Sequence, residues 1–392
     1  MLTSRALPAL LTVLAFTTAV AQEIELPFHL APEHQPTPEP FPNLGLLYRN
    51  DEHPFLNEVW FLGRYHGQNH WTQGNDREDE GWEHRRSRIG GQIRVFKNLT
   101  LHAQMVSGAD LEPFYNGFTE LWASWRFSDA LALTVGQQKH RFTHDRNVSS
   151  RYLLTLERSL LTNMFAADYT PAVTLSGRFG RWSYYTGFFS NATGRDMSQA
   201  FTNFDSGFSF LASATVDLHE FFHTDTAFLN ATYVGSDANE NATNLNYFDH
   251  GISTALILTH GPASLITEIT AGLGAENGDA VGLNIQPGYY LTDKLQVVAR
   301  YQLAGSDGEN GLRAQRRYER EVGLTTGDSY QAGYLGLNYF LAGHRAKLMT
   351  GIEYSTLGEQ DSWTASVAVR VFWGPHSRGP FPMVETLPGR FQ

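Results

Sequence analysis

The chain has 392 residues, no cysteine and a formal net charge of −11. Without cysteine, a disulfide-stapled fold, thiol chemistry and thiolate metal sites are all excluded. The acidic balance argues against nucleic-acid binding, which needs a basic footprint. At the N-terminus, Arg5 precedes an apolar stretch from Ala6 to about Phe16, and Ala19-Val20-Ala21 stands before Gln22. Residues 1–21 therefore read as a secretory signal peptide, with an apolar segment too short to span a bilayer. Residues 22–54 are rich in proline (Pro27, Pro32, Pro36, Pro38, Pro40, Pro42, Pro54) and read as an extended periplasmic lead-in.

From Glu58 to Trp373 the pattern changes to alternation with period two. Ser87, Ile89, Gly91, Ile93 and Val95 share one face, and Arg86, Arg88, Gly90, Gln92 and Arg94 share the other. Val281, Leu283, Ile285, Pro287 and Tyr289 alternate with Gly282, Asn284, Gln286 and Gly288, and Val367, Val369, Val371 and Trp373 with Ser366, Ala368, Arg370 and Phe372. Segmenting the chain this way predicts strands near 57–68, 84–97, 99–108, 117–127, 130–138, 171–179, 182–190 and 206–217. The second half adds 223–235, 250–259, 262–272, 281–291, 294–304, 328–340, 345–356 and 361–373. Every second connection is tight, as at Asn98, Ser128-Asp129, Gly180-Arg181, Gly261 and Thr292-Asp293. The connections between them are mostly long, such as 69–83, 139–170, 191–205 and 305–327.

Short and long turns alternating over an even strand count are what a bacterial outer-membrane barrel shows, with periplasmic turns at one rim and exterior loops at the other. Hydrocarbon tolerates strands only when every backbone group is paired, which requires closure. The predicted fold is all-β: a sixteen-stranded antiparallel transmembrane β-barrel over residues 55–373, followed by a C-terminal tail, 374–392. Sixteen strands leave an aqueous channel, where about eight would be filled by their own side chains.

If the more apolar face meets lipid, Arg64, Arg86, Arg88, Arg94, Arg178, Arg300, Lys347 and Arg370 face the lumen. The inward acids are Glu58, Glu120, Asp217, Glu268 and Glu353. This is a modest cationic bias, and the same charges read equally well as a solvated face whose acids and bases cancel. The connection 139–170 carries Lys139, Arg141, Arg146, Arg151 and Arg158 beside apolar Tyr152, Leu153, Leu154, Leu156, Leu160 and Leu161. Such apolar content suits a loop packed inside the barrel, so an inward-folded constriction loop is expected. The fifteen histidines are scattered, with no HExxH pair and no GxSxG elbow. No catalytic residue, metal site or cofactor is assigned, and the acidic run Asp76 to Glu80 reads as exterior loop.

The run GQQKHRFTHDRNVSSRYLLTLERSL from Gly136 resembles the signature stretch of the phosphate-selective porin family, where a Gly-x-x-Lys strand end leads to Ser-Ser and then Glu-Arg-Ser. Gly63-Arg64, Arg85-Arg86 with Arg88, YLTDKLQVVARYQ (290–302) and GLNYFLAGH (336–344) are similar to further segments of that family. The resemblance implies a trimeric barrel in the bacterial outer membrane, with an arginine ladder for phosphate or pyrophosphate in its lumen. Carried over by position, it supports Arg64, Arg85, Arg86 and Arg88. Arg85 falls on the lipid face by parity, so it must lie beyond the membrane band or at a bulge. The expected function is passive diffusion of small, anionic or polar solutes, without an enzymatic activity. Rival readings are a general or sugar-diffusion porin, a barrel enzyme, and an adhesive or structural barrel.

Overall fold

The computed structural model describes residues 41–375 apart from positions 76, 109–110, 166 and 245–246. The signal peptide, the first part of the Pro-rich lead-in and most of the C-terminal tail lie outside the described residues. In chain order the strands are β1 Leu46–Arg49, β2 Leu56–Gly74, β3 Arg77–Val95, β4 Leu99–Val106, β5 Phe118–Ser128, β6 Leu131–Lys139, β7 Tyr169–Phe179, β8 Trp182–Ser190, β9 Gly207–Asp217 and β10 Thr226–Ala238. They continue as β11 His250–His260, β12 Ala263–Leu273, β13 Ala280–Tyr290, β14 Leu295–Ser306, β15 Leu312–Arg313, β16 Thr326–Gly327, β17 Ser329–Phe340, β18 Ala346–Leu357 and β19 Gln360–Trp373. Strands β2–β14 and β17–β19 each pair antiparallel with their neighbours, and β19 returns to β2 from Ser362↔Gly74 to Trp373↔Gly63. The result is a closed barrel of sixteen strands.

The side-chain alternation follows the sequence pattern. Along β17, Tyr330, Ala332, Tyr334 and Asn338 are buried inside, while Leu335, Leu337 and Tyr339 face outward. The tight turns lie at one rim. Gly180 (φ +55) and Gly261 (φ +52) adopt the left-handed backbone such short turns require, which glycine enters without strain. Where β19 stops at the same rim, β1 takes over the pairing of β2 through Trp60↔Leu46 and Glu58↔Arg49. The end of the lead-in is thus built into the wall.

Two predicted exterior loops are differently built. Residues 69–83 form a tall hairpin, because β2 and β3 continue to Gly74 and Arg77. Glu78, Asp79 and Glu80 of the acidic run lie on that hairpin, with Asp79 Oδ2 2.7 Å from His70 Nε2. Sequence alternation fades there because polar pairs, with no lipid to face, sustain the ladder. Residues 307–328 fold back into the mouth of the barrel, burying Leu312, Val322 and Leu324.

Candidate functional site

The connection between β6 and β7, residues 140–168, crosses the lumen as expected. All six apolar residues singled out in it are buried. Leu154 packs with Tyr290, Val298 and Phe340, and Leu156 with Tyr334, Met349 and Ala368. Leu160, Leu161 and Phe165 join the largest apolar cluster. Burying each such side chain stabilises the inward fold by roughly 1.5–3 kcal/mol.

Polar groups of β12, β14 and β17–β19 satisfy the loop's backbone. Lys347 Nζ donates to the Leu153 carbonyl (2.6 Å), Asn338 Nδ2 to Leu154 (3.0 Å), Arg370 Nη2 to Leu156 (2.7 Å) and Arg300 Nη1 to Glu157 (2.6 Å). The Glu268 carboxylate accepts from the backbone N–H groups of His144 (2.6 Å) and Asp145 (3.2 Å). Such fixed partners are required because an unmet backbone group in a buried place costs about as much as a lost hydrogen bond.

The near side of the lumen stays open as a cavity of about 1110 Å³. Ten arginines line it: Arg85, Arg86 and Arg88 of β3, Arg146 and Arg158 of the crossing loop, Arg195, and Arg313, Arg316, Arg317 and Arg320 of the folded-back loop. Against them stand three carboxylates, Glu157, Asp168 and Glu321. Among the described residues, ion pairs engage Arg85 with Glu157 (2.7 Å), Arg146 with Asp168 (2.9 Å), and Arg317 with Glu83 and Glu157. The other seven arginines have no ion pair there. Burial would raise the Glu157 carboxyl, but the Arg85 guanidinium beside it holds it down at about 2. Burial lowers His140 to about 3 and His144 to about 4, so neither adds charge. The cationic field comes from guanidinium groups.

A bulge explains Arg85. The β2–β3 register shifts between His66↔Arg86 and Gly67↔His84, so one extra residue lets both Arg85 and Arg86 point inward. Arg88 Nη1 donates to Tyr169 Oη (2.8 Å), and its guanidinium lies 5.1 Å from that ring's centroid. Arg64, opposite Arg88, is buried and donates to Ser150 Oγ (2.7 Å).

The other expected site residues, Arg158 apart, lie elsewhere. Arg94 sits at the short-turn rim, 2.6 Å from Asp51 and 3.1 Å from Glu58. Arg300 is buried beneath the loop and paired with Glu353 (2.7 Å). Lys139 Nζ donates to the carbonyls of Asn147 and Val148 (3.2 and 3.1 Å), while Arg158 donates to those of Asp145 and Val148 (2.8 Å each). Arg141 lies over the Tyr185 ring, and Arg151 lies over Phe372 while donating to the Pro375 carbonyl (3.1 Å). Of the ten residues expected to line a pore, Arg85, Arg86, Arg88 and Arg158 line this cavity. The cations of 313–320 and Arg195 were missed. Their signal was present: Arg313-Ala-Gln-Arg-Arg-Tyr-Glu-Arg320 sits among Leu312, Val322 and Leu324, the same mixture that marked 139–170.

The phosphate-selective porin O and P family model matches residues 60–362. No curated protein matches the chain. Several solved structures share the fold. Pseudomonas putida OprB superposes with a TM-score of 0.58 at 10% identity, covering 80% of this chain and 94% of its own. The anion-selective porin from Comamonas acidovorans gives 0.57 at 11% identity, covering 80% and 99%. The channel DcaP of Acinetobacter baumannii gives 0.55 at 11% identity, covering 83% and 100%. The chain belongs to the phosphate-selective porin O and P family, and is a porin of the bacterial outer membrane.

Proposed function

We propose that this porin passes small hydrophilic solutes by passive diffusion and prefers anions, phosphate-like oxyanions among them. The observation that supports this reading is the lining of the cavity, ten arginines against three carboxylates. Guanidinium groups replace the hydration an anion sheds and offer it forked donors, so a narrow passage bearing them favours anions. Three of the five inward carboxylates are occupied elsewhere. Glu58 pairs with Arg49 and Arg94, Glu268 holds the loop, and Glu353 pairs with Arg300. The test is the reversal potential of the purified protein in a planar bilayer across a KCl gradient. An anion-selective sign, strongest in dilute salt because the field is screened within about 8 Å at physiological ionic strength, is the expected result. A cation-selective or unselective wild type leaves a general diffusion porin.

A homotrimer is part of the same proposal. Along the wall, outward Val369 and Val371 of β19 are level with Gly67 and Tyr65 of β2, and these with His84 and Ser87 of β3. The apolar belt gives way there to small and polar groups, with Tyr65 Oη 2.9 Å from His84 Nδ1. Lipid tails offer such groups no hydrogen bonds, whereas another barrel does. Cysteine pairs across this face should cross-link the native protein into trimers.

A further inference from the structure

The three carboxylates of the cavity are not equivalent. The Asp168 side chain is half exposed and Glu321 is exposed, whereas the Glu157 side chain is only 11% exposed. Its two oxygens accept from Arg85 Nε (2.7 Å) and Nη2 (2.8 Å). That is the forked geometry in which a guanidinium takes a free carboxylate or phosphate. Arg317 Nε lies 3.9 Å from the same carboxylate, and Nη1 of the adjacent Arg86 is buried without a partner.

The loop does not need this carboxylate to stay in place. The Glu157 carbonyl accepts from Arg300 Nη1 (2.6 Å) and Thr155 Oγ1 (2.8 Å), and Arg370 holds the preceding carbonyl. The backbone is therefore anchored from β14 and β19, leaving the side chain to reach β3. We infer that Glu157 is a built-in competitor for the solute. Its carboxylate occupies the Arg85 fork, with Arg317 and Arg86 beside it, and a passing oxyanion exchanges with it.

The chemistry sets both the ligand class and the purpose. A carboxylate or phosphate presents two oxygens to the fork and can replace Glu157 bond for bond; chloride cannot. An unoccupied fork flanked by two further guanidiniums would hold an oxyanion tightly and slow its exit. Conduction requires binding strong enough for entry and weak enough for release. A tethered carboxylate weakens the site without removing its positive charges. The inference rests on the anion pathway proposed above and names the residue that sets its affinity.

The experiment is single-channel conductance against the concentration of inorganic phosphate, and separately of chloride, for wild type, Glu157→Gln and Glu321→Gln. Glutamine keeps the shape of Glu157 and removes its charge. Half-saturation by phosphate should fall about tenfold in Glu157→Gln, the scale of one charge-assisted hydrogen bond. Conductance at saturating phosphate should fall with it, while chloride conductance changes little. Glu321→Gln makes the same change of charge in the same cavity away from the fork, and should move phosphate and chloride alike and weakly. An unchanged or raised half-saturation in Glu157→Gln overturns the inference, as does an equal effect in Glu321→Gln. A higher conductance in both salts also overturns it, since Glu157 would then be a loop anchor. Should Glu157→Gln fail to give the heat-modifiable gel mobility of a folded barrel, Glu157→Asp withdraws the carboxylate from the fork while keeping the charge. A severalfold fall in phosphate half-saturation is then expected, and no fall overturns the inference. Wild-type ion selectivity is read separately, from the sign of the reversal potential, so failure of the anion pathway and failure of the competitor are told apart.

Discussion

Two groups of cations sit on neighbouring stretches of the barrel wall, where Arg370 and Arg86 flank the same His66, and strand parity does not tell them apart. On β14, β18 and β19, Arg300, Lys347 and Arg370 lie beneath the crossing loop and donate to its carbonyls. On β3, Arg85, Arg86 and Arg88 line the open cavity. The residue types are the same and so is the alternation that turned them inward. The loop makes the difference, because it covers one wall and leaves the other wet. A cation that meets a backbone carbonyl holds structure; one that meets water is available to a solute.

The largest effect should come from breaking the covered side. Replacing Lys347 and Arg370 together with methionine removes the donors to the Leu153 and Leu156 carbonyls. Each hydrogen bond from a charged group is worth about 1.5–3 kcal/mol, so the loop should lose its grip on β18 and β19. Single-channel conductance should rise severalfold in KCl, with a lower thermal midpoint of the barrel. Unchanged conductance in the folded protein would mean that apolar packing alone holds the loop.

The open side should respond in the opposite manner. Replacing Arg86 and Arg88 with alanine removes two guanidiniums that have no ion pair among the described residues and loses the hydrogen bond from Arg88 to Tyr169, so stability should fall less than on the covered side. The reversal potential should shift toward cations, most clearly in dilute salt. A large loss of stability without a shift in selectivity would erase the distinction between the two walls.

The sequence reveals the wall better than its contents. Period-two alternation placed all sixteen barrel strands, and it failed at the β2–β3 hairpin, where Trp71 and Trp82 stand among polar residues and no lipid imposes a pattern. Parity also turned Arg300, Lys347 and Arg370 inward correctly. It could not show that a loop more than a hundred positions earlier in the chain would cover them. Leu153, Leu154 and Leu156 were the local sign of that cover. For Arg85, parity pointed outward, and the family motif required an exception that a one-residue bulge supplies. The cluster at 313–320 was passed over because a long polar connection at the exterior rim invited an exposed reading. Buried Tyr318 and Glu319 show otherwise.

That folded-back loop should carry a smaller, pH-dependent effect. Burial pushes the Glu319 carboxyl up to about 7, against an ordinary value of 4.5. Its oxygens accept from Gln315 N (2.6 Å) and Tyr330 Oη (2.7 Å), with the Glu353 carboxylate adding to the rise. The folded form binds this proton more tightly than the unfolded one, so its stabilisation is complete below about pH 4.5. It is lost as pH climbs through about 7. Conductance should therefore increase modestly from acid to neutral pH as the loop loosens. Glu319→Gln, neutral throughout, should flatten that dependence, and an unaltered profile in this variant would assign it to another group.

The smallest effect belongs to Arg94, which parity alone would have placed among the selective cations. It sits at the short-turn rim with Asp51 at 2.6 Å and Glu58 at 3.1 Å, and Glu58 is shared with Arg49 at 2.7 Å. Two cations and two carboxylates there cancel at close range. A neutral cluster exerts little field on a passing ion, and what remains is screened within about 8 Å. Partly exposed ion pairs of this kind contribute about 0–1 kcal/mol each, so stability should barely change in Arg94→Ala. The reversal potential should stay within error of wild type, beside a clear shift for Arg86 and Arg88. A shift for Arg94 of comparable size would show that inward parity, and not the open cavity, decides which cations a solute meets.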